Sequence, residues 1–320
     1  MKNGQDRLPS TFGFRVHSAV PFKFQRAGGG NGTLEVALES DMRPPAADRL
    51  LSEWNLRGAA NVSAKLYLED GIYRYWISDA GWYRIDPVNS MVRIPQEGDG
   101  VIREHRLWGV PTLLCATYRG DFFLHAAAAE VENGAVLLAA PGRHGKTTLA
   151  MAFHREGYRV VSEDSACLRL SPEPALLPGP ALLRIRPDVF DGRAPAGTHV
   201  VSIHDDRIYL ALDEKRRGSV DPVPIRALVF LRESAADDIY LERVPPARAL
   251  PDLWALGFRL PNDGARAQCF KQITRFAGTV PVWNLYRPLR LDSLSETVSR
   301  IVNTVVSSCS CGDLHDGANA

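Results

Sequence analysis

Short runs in which apolar and polar residues alternate recur through the first hundred residues of the chain. They lie at Thr33–Leu38, Ala64–Leu68, Ile72–Ile77 and Trp82–Asp86, and glycine, aspartate or asparagine residues separate them. A period of two is typical of strands that bury one face, and the intervening residues favour turns. The pattern therefore predicts a small antiparallel β domain over residues 1–100.

Beyond residue 100 the pattern favours alternating helices and strands. Ala135–Ala139 is an uninterrupted apolar run, which is typical of a strand covered on both faces in an α/β protein. A helix over Lys146–Glu156 follows, and Gly157 suits the left-handed position after a helix. Further strands are predicted at Phe122–Val131, Tyr158–Val161, Ala166–Leu170, Arg207–Leu212 and Ile225–Leu231, and further helices at Leu107–Arg119, Ala247–Leu256, Ala265–Ala277 and Ser293–Val306.

These elements predict the α/β (α+β) class, with a second domain over residues 101–306 and a flexible tail over 307–320. Cys309, Cys311 and His315 lie in that tail, but three ligands at this spacing are too few for a usual zinc site. The other three cysteines of the five lie in apolar or helix-like surroundings, where we expect buried reduced thiols.

The loop Ala140–Thr147 has the spacing of a Walker A motif, with alanine in place of the first glycine. Gly142 and Gly145 allow a tight turn whose N–H groups converge on phosphate oxygens, beside the positive end of the next helix. Lys146 would neutralise the β and γ phosphates, and the Thr147 hydroxyl would ligate Mg²⁺. The predicted nucleotide-binding residues are Gly142, Arg143, His144, Gly145, Lys146, Thr147 and Thr148.

Two carboxylates, Glu163 and Asp164, follow the next predicted strand. Ligands of open α/β sheets collect beyond the carboxyl ends of the strands. One carboxylate there can hold Mg²⁺, and the other can accept a proton from an incoming hydroxyl. The phosphate loop and this acidic pair together predict a kinase that uses ATP and Mg²⁺.

Composition and hydropathy limit which binding partners and which cellular location we expect for the protein. The 320 residues carry a formal net charge of +1, which gives no general reason to expect nucleic acid or an anionic membrane as partner. No apolar run reaches the length of a membrane-spanning helix, and residues 1–7 lack the apolar core of a signal peptide. We therefore expect a cytoplasmic protein, and a homo-oligomer remains open.

Residues 107–302 resemble the HPr kinase/phosphorylase family, and more closely its smaller relatives from peptide natural-product clusters. The shared features begin with His125, which precedes the phosphate-loop strand in Leu124-His125-Ala126. Gly157–Asp164 matches the family stretch Gly-x-Arg-x-Val-x-Asp-Asp, with Glu163 in place of the first aspartate. Leu183–Pro187 is closer to the Leu-Arg-Leu-Arg-Pro of the relatives than to the Glu-Ile-Arg-Gly of HPr kinases.

The resemblance implies an HPr-kinase/PEP-carboxykinase-like P-loop domain with a central mixed sheet. It implies that Glu163 is the general base, assisted by His125, and that Asp164 binds Mg²⁺. It also implies that Arg186 joins Lys146 in contacting phosphate. Arg184 departs from the family, because it stands where those kinases have an acidic metal ligand.

Three functions remain open at this point. The acceptor of the phosphoryl group could be a Ser/Thr hydroxyl of a protein or of a ribosomally made peptide, for example of the lasso type. It could instead be a small hydroxylated metabolite, which a closed pocket would favour over a long groove or an exposed strand edge. A nucleotide-binding regulatory module without phosphotransfer is the third, since Glu163 replaces the aspartate of the family.

Overall fold

Within its described residues, the protein contains two nine-stranded sheets, one three-stranded sheet and the helices that pack against them. The structure is a computed structural model that describes residues 9–28, 30–40, 42–56, 62–132, 134–142, 144–190, 192–204, 206–218 and 220–310.

The first nine-stranded sheet is built entirely from the N-terminal part of the chain. Its strands, which lie side by side in the order β3-β1-β2-β4-β9-β8-β7-β6-β5, are β1 (Pro9–Thr11), β2 (Phe14–Ser18), β3 (Arg26–Ala27), β4 (Gly32–Glu39), β5 (Leu50–Leu56), β6 (Val62–Glu69), β7 (Ile72–Ile77), β8 (Gly81–Asp86) and β9 (Met91–Pro95). A short 3-10 helix at Ala47–Arg49 precedes β5. The N-terminal part of the chain is thus rich in strands, but its sheet is not purely antiparallel as predicted. Strand β4 pairs in parallel with both β2 and β9. Parallel pairing is possible because long connections join β2 to β4 and β4 to β9, whereas a short hairpin would have forced antiparallel pairing.

Helix α2 (Val110–Tyr118) lies within the helix predicted over Leu107–Arg119, and helix α1 (Gly100–Leu107), which precedes it, was not predicted. The Asp99 carboxylate begins α1 by accepting hydrogen bonds from the N–H groups of Val101, at 2.7 Å, and Ile102. Both helices contribute buried side chains to the core of the first sheet. The proposed division of the chain at residue 100 therefore does not separate two cores.

The second nine-stranded sheet holds the apolar strand predicted before the phosphate loop. Its strands are β10 (Phe122–Leu124), β11 (Ala126–Val131), β12 (Gly134–Ala139), β13 (Arg159–Ser162), β14 (Ala166–Arg169), β15 (Ala175–Leu177), β19 (Val223–Glu233), β20 (Tyr240–Arg243) and β21 (Val282–Arg287). Helix α3 (Lys146–Arg155) connects β12 to β13. The three-stranded sheet contains β16 (Leu182–Ile185), β17 (Thr198–His204) and β18 (Arg207–Leu212). The remaining helices are α4 (Glu214–Arg217), α5 (Pro246–Leu256), α6 (Asp263–Thr279) and α7 (Leu294–Ser310), with a 3-10 turn at Pro187–Val189.

The central strand β19 explains why this sheet is mixed. It pairs in parallel with β12 on one side and β21 on the other, and in antiparallel sense with β15. All residues of β12 are buried, as the sequence predicts for a strand covered on both faces. The α/β class and the central mixed sheet are confirmed.

The strand predicted over Phe122–Val131 is interrupted at His125. Strand β10 pairs with β14, whereas β11 pairs with β12 and β13. The His125 N–H donates to the carbonyl of Leu256 at 2.9 Å, so the break is held by a hydrogen bond outside the sheet ladder. The interruption leaves the His125 side chain free to face the end of β13.

At the C-terminal end, α7 continues to Ser310, beyond Val306 and into the segment 307–320 that was predicted as a tail. Residues 311–320, with Cys311 and His315, lie outside the described part of the chain. Cys115, Cys167 and Cys269 are free and buried. Within the described ranges, the helices are too short or too polar to cross a membrane.

Candidate active site

The phosphate loop connects the end of β12 to the start of α3. Gly145 has a φ of 76°, in the left-handed region that glycine adopts without cost. The backbone therefore requires glycine here, and a Cβ at this position would lie 2.6 Å from a terminal nitrogen of Arg287 and displace the end of that side chain. Gly142 has open space around it. Arg143, also predicted to bind nucleotide, lies outside the described residues.

Lys146 is the first residue of α3 and is only 6% exposed. Its ammonium donates to the carbonyls of Ala140, at 2.8 Å, and Pro141, at 3.2 Å. Burial lowers the pKa of Lys146, although the nearby charges of Asp164 and Glu163 oppose that shift. The ammonium thus lies at the mouth of the loop, held by neutral carbonyls that a phosphate oxygen can replace.

The acidic pair follows β13 and meets the phosphate loop through Thr147. The Thr147 hydroxyl donates to Glu163 Oε1 at 2.8 Å. Arg184, on β16, donates from Nε to Glu163 Oε2 at 3.0 Å, and its NH2 group lies 3.1 Å from Asp164 Oδ2. One guanidinium therefore bridges both carboxylates.

The two carboxyl groups differ in acidity. Burial raises the pKa of Glu163, the positive charge of Arg184 opposes the shift, and the neighbouring Asp164 reinforces it. Burial also raises the pKa of Asp164, but the charges of Arg184, His125 and Lys146 outweigh it and the pKa ends below its usual value. Asp164 therefore stays ionised beside a Glu163 with raised proton affinity, which is the division of properties that a metal ligand and a general base need.

His125 lies beside Asp164. Its Nδ1 is 3.6 Å from Asp164 Oδ1, which is an ion-pair distance and too long for a good hydrogen bond. Burial lowers the pKa of His125, and Asp164 opposes the shift. The structure therefore brings His125, Glu163 and Asp164 together around Lys146.

His105 and Arg184 form a contact that sequence reasoning missed. Arg184 NH1 lies 2.8 Å from His105 Nε2, and His105 is on α1, far away in the chain. Burial and the charges of Arg184 and Arg106 hold the pKa of His105 well below its usual value, so a neutral His105 accepts this hydrogen bond. Nothing in the local sequence around His105 indicates the contact.

A cavity of about 540 Å³ opens over the phosphate loop. That volume is within the range of sites for nucleotide-sized ligands. The predicted residues Gly142, Gly145, Lys146, Thr147, Thr148 and Arg186 line it together with His125 and the acidic pair. Three arginines that the sequence analysis did not assign also line it, namely Arg207, Arg287 and Arg290. His144 is not among these residues; its Nδ1 lies 2.9 Å from the carbonyl of Gly142.

Arg287 is the least compensated of these cations. It is 2% exposed and packs against Gly145, and its Nε has no hydrogen-bond partner. Its terminal nitrogens lie 3.5 Å from the neutral carbonyl of Pro288 and 3.4 Å from that of His144, and burial lowers its pKa. Arg186 is more exposed and lies 3.7 Å from Asp188. An uncompensated guanidinium at the phosphate loop favours binding of an anion there.

The residues also fit the predicted magnesium ion. Thr147 and Asp164 supply a hydroxyl and a carboxylate, which are the hard oxygen donors that Mg²⁺ takes alongside phosphate oxygens. Arg184 holds only one oxygen of Asp164, and the other oxygen faces His125. The described residues contain no group of three or more His, Cys, Asp or Glu side chains arranged to hold a metal by themselves, so phosphate and water would supply the other ligands.

No protein-family model matches the sequence, and a search of curated proteins gives no match. Among solved structures, the Hpr(Ser) kinase/phosphatase from Coxiella burnetii is similar over 58% of this chain and 97% of its own. The two share 11% sequence identity, and the TM-score is 0.32. A similarity of this size assigns no activity, so the function has to be inferred from the side chains of the site.

Proposed function

We propose that the protein is an ATP-dependent kinase that transfers the γ-phosphoryl group to a hydroxyl. The observation that carries this proposal is the contact between the phosphate loop and the acidic pair. Thr147, within the loop, donates to Glu163, and the cations around the same cavity match the charge of a triphosphate. Nucleotide binding alone would not need a carboxylate of raised pKa at the end of the loop.

The residues of the nucleotide cavity have different roles in the proposed phosphoryl transfer. The acceptor oxygen attacks the γ phosphorus, the bond from that phosphorus to the β–γ bridging oxygen breaks, and ADP leaves. The proton of the hydroxyl passes to the Glu163 carboxylate, whose raised pKa suits a general base. Lys146, Arg186 and Arg287 stabilise the negative charge on the phosphates, and His125 acts electrostatically through Asp164. When bound, Mg²⁺ on Thr147 and Asp164 would neutralise charge on the β and γ phosphates.

The identity of the acceptor belongs to the same proposal. A Ser/Thr hydroxyl of a protein or ribosomally made peptide is one candidate, and a small hydroxylated metabolite is the other. Both need the same machinery at Glu163. They differ in the shape of the surface that leads to this residue.

A nucleotide-binding regulatory module is the second candidate function, and Arg184 favours it. This guanidinium occupies one oxygen of each carboxylate, at a place where the related kinases have an acidic metal ligand. If Arg184 never leaves Glu163, the base is permanently occupied and the protein binds nucleotide without transferring phosphate.

Measurement of ADP release with and without candidate hydroxyl acceptors separates the two functions. Wild-type protein should release ADP faster when an acceptor is present, and Glu163→Gln should abolish this acceptor-dependent release. Nucleotide affinity should remain, since Gln retains the hydrogen bond from Thr147. Equal acceptor-dependent rates in the wild type and in Glu163→Gln would rule out the proposed base, and an absence of release in both would favour the regulatory module.

A further inference from the structure

A second cavity, of about 190 Å³, lies between the first sheet and the acidic pair. It shares Glu163, Asp164 and Arg184 with the nucleotide cavity. Its other residues come from the first sheet, from the junction of α1 and α2, and from the segments around β13 and β16. Glu163, the proposed general base, thus faces two cavities, and only the nucleotide cavity contains the phosphate loop.

Large aromatic side chains form part of the wall of this second cavity. Phe12, Trp54, Tyr75 and Trp108 line it. The rings of Trp54 and Tyr75 meet edge to face, with their centroids 6.4 Å apart. Trp108 donates from Nε1 to Glu104 Oε1 at 3.1 Å, which fixes the orientation of its ring. Fixed aromatic walls form a preorganised site for an apolar or ring-bearing group.

The charges around the second cavity are already compensated. The Arg106 guanidinium donates to both carboxylate oxygens of Asp79, at 3.1 and 3.2 Å from Nε. Arg184 contacts Glu163 and Asp164. An anionic ligand therefore finds no uncompensated arginine in the lining of this cavity. The nucleotide cavity differs, because Arg287 and Lys146 there have no carboxylate as hydrogen-bond partner in the described part of the chain.

The size of the cavity limits what it can hold. At about 190 Å³ against about 540 Å³ for the nucleotide cavity, it is smaller than most sites for drug-sized ligands. It has room for one ring or one short aliphatic group. It does not have room for an extended peptide.

We propose that this second cavity binds the acceptor, and that the acceptor is an uncharged, compact alcohol or phenol. Its apolar body packs against Trp54, Tyr75 and Trp108, and its hydroxyl faces Glu163. The oxygen then bonds to the γ phosphorus, ADP leaves and Glu163 takes the proton. The assignment rests on the proposed kinase function. The alcohol is either a free molecule or a single side chain that a peptide inserts, and both present the same chemistry to the cavity.

Filling the cavity tests the assignment. Val110→Trp adds a ring from the start of α2, and Ala64→Leu adds a branched side chain from β6; both residues line the cavity. Val88→Trp is the matched control, because Val88 is 75% exposed and lies outside the cavity. The probes are benzyl alcohol, 2-phenylethanol and 4-methylphenol as free molecules, N-acetyl-serinamide and N-acetyl-tyrosinamide as side-chain models, and glycerol 3-phosphate as an anionic alcohol. Calorimetry measures probe and ATP binding, ADP release measures transfer, and thermal melting verifies folding.

The expected result is that neutral compact probes bind and accept phosphate whereas glycerol 3-phosphate does not. Val110→Trp and Ala64→Leu should each raise the KM for these probes by about tenfold or more, with ATP affinity unchanged and Val88→Trp equal to the wild type. If the filling variants lose turnover with the amide probes but keep it with the free alcohols, the acceptor is a peptide side chain. Unchanged KM values in both folded filling variants would overturn the assignment.

Failure of the kinase proposal gives a different result. ATP and the alcohols would still bind in calorimetry, but no acceptor would increase ADP release in the wild type. That outcome would leave the cavity as a binding site and would overturn its role as the acceptor site. Preferred transfer to glycerol 3-phosphate would contradict the uncharged acceptor while supporting the kinase activity.

Discussion

Arg184 Nε lies 3.0 Å from Glu163 Oε2, and the same guanidinium also reaches Asp164. The cation thus stands between the proposed general base and the proposed metal ligand. It compensates two adjacent carboxylates, of which Glu163 is almost completely buried. Arg184 is itself only 16% exposed, and the two carboxylates raise its pKa against the effect of burial.

Replacement of Arg184 should be costly to stability because two carboxylates lose their cation. We expect Arg184→Met to lower the free energy of unfolding by about 3 kcal/mol, measured by urea denaturation. Arg186→Met is the matched control. Arg186 is 43% exposed and lies 3.7 Å from Asp188, so its loss should cost less than about 1 kcal/mol. Equal losses in the two variants would contradict the bridging role of Arg184.

Lys146 should be required for phosphoryl transfer. We expect Lys146→Ala to lower acceptor-dependent ADP release by at least about a hundredfold, because the developing charge on the phosphates loses its buried cation. The variant should still fold, since the hydrogen bonds of the ammonium to described residues go to two loop carbonyls, which water can satisfy in its place. Circular dichroism verifies the fold, and activity that persists in Lys146→Ala would contradict the mechanism.

The two glycines of the phosphate loop should respond differently to alanine. At Gly145 an alanine would adopt a φ of 76° and press its Cβ against Arg287. We expect Gly145→Ala to destabilise the protein by about 1–2 kcal/mol and to weaken ATP binding. Gly142→Ala should change stability by less than about 0.5 kcal/mol, because nothing lies within 4 Å of the added Cβ. Thermal melting with and without ATP compares the two variants.

His105 should make the stability of the protein fall in mild acid. Its pKa is held well below the usual value by burial and by the facing charges of Arg184, Arg106 and His204. The unfolded chain therefore takes up a proton below pH of about 6.5, whereas the folded protein keeps His105 neutral. Because the unfolded state then binds more protons, the free energy of unfolding decreases as the pH falls, by up to about 1.4 kcal/mol per pH unit.

Urea denaturation between pH 7 and pH 5 checks this dependence. His105→Asn keeps an acceptor for Arg184 and removes the titrating ring, so its slope below pH of about 6.5 should be shallower than that of the wild type. His17→Asn is the control, since His17 lies on an exposed part of β2, 3.1 Å from Glu35. A wild-type slope that persists in His105→Asn would assign the proton uptake to another group.

Local pattern was sufficient for much of the fold. The period-two segments became strands β4, β6, β7 and β8, and the apolar run at Ala135–Ala139 became the buried strand β12. Arg207–Leu212 was predicted with the bounds that the structure has. The pattern of apolar and polar side chains determines these elements, and that pattern is visible within one short stretch of sequence. Helix α1 was missed, and the predicted helix over Leu107–Arg119 began before Gly109, which is the N-cap of α2.

The chemistry of the site divides in the same way. The sequence by itself determined the phosphate loop and the acidic pair, because both depend on residues that are close together in the chain. The loop consists of glycines, a lysine and a threonine at a fixed spacing, and the two carboxylates come directly after the next strand. Only the tertiary structure decided that Arg184 bridges Glu163 and Asp164, that Arg287 packs against Gly145, and that aromatic residues of the first sheet face Glu163. Contacts between residues far apart in the chain depend on how the sheets pack together, and no local pattern contains that information.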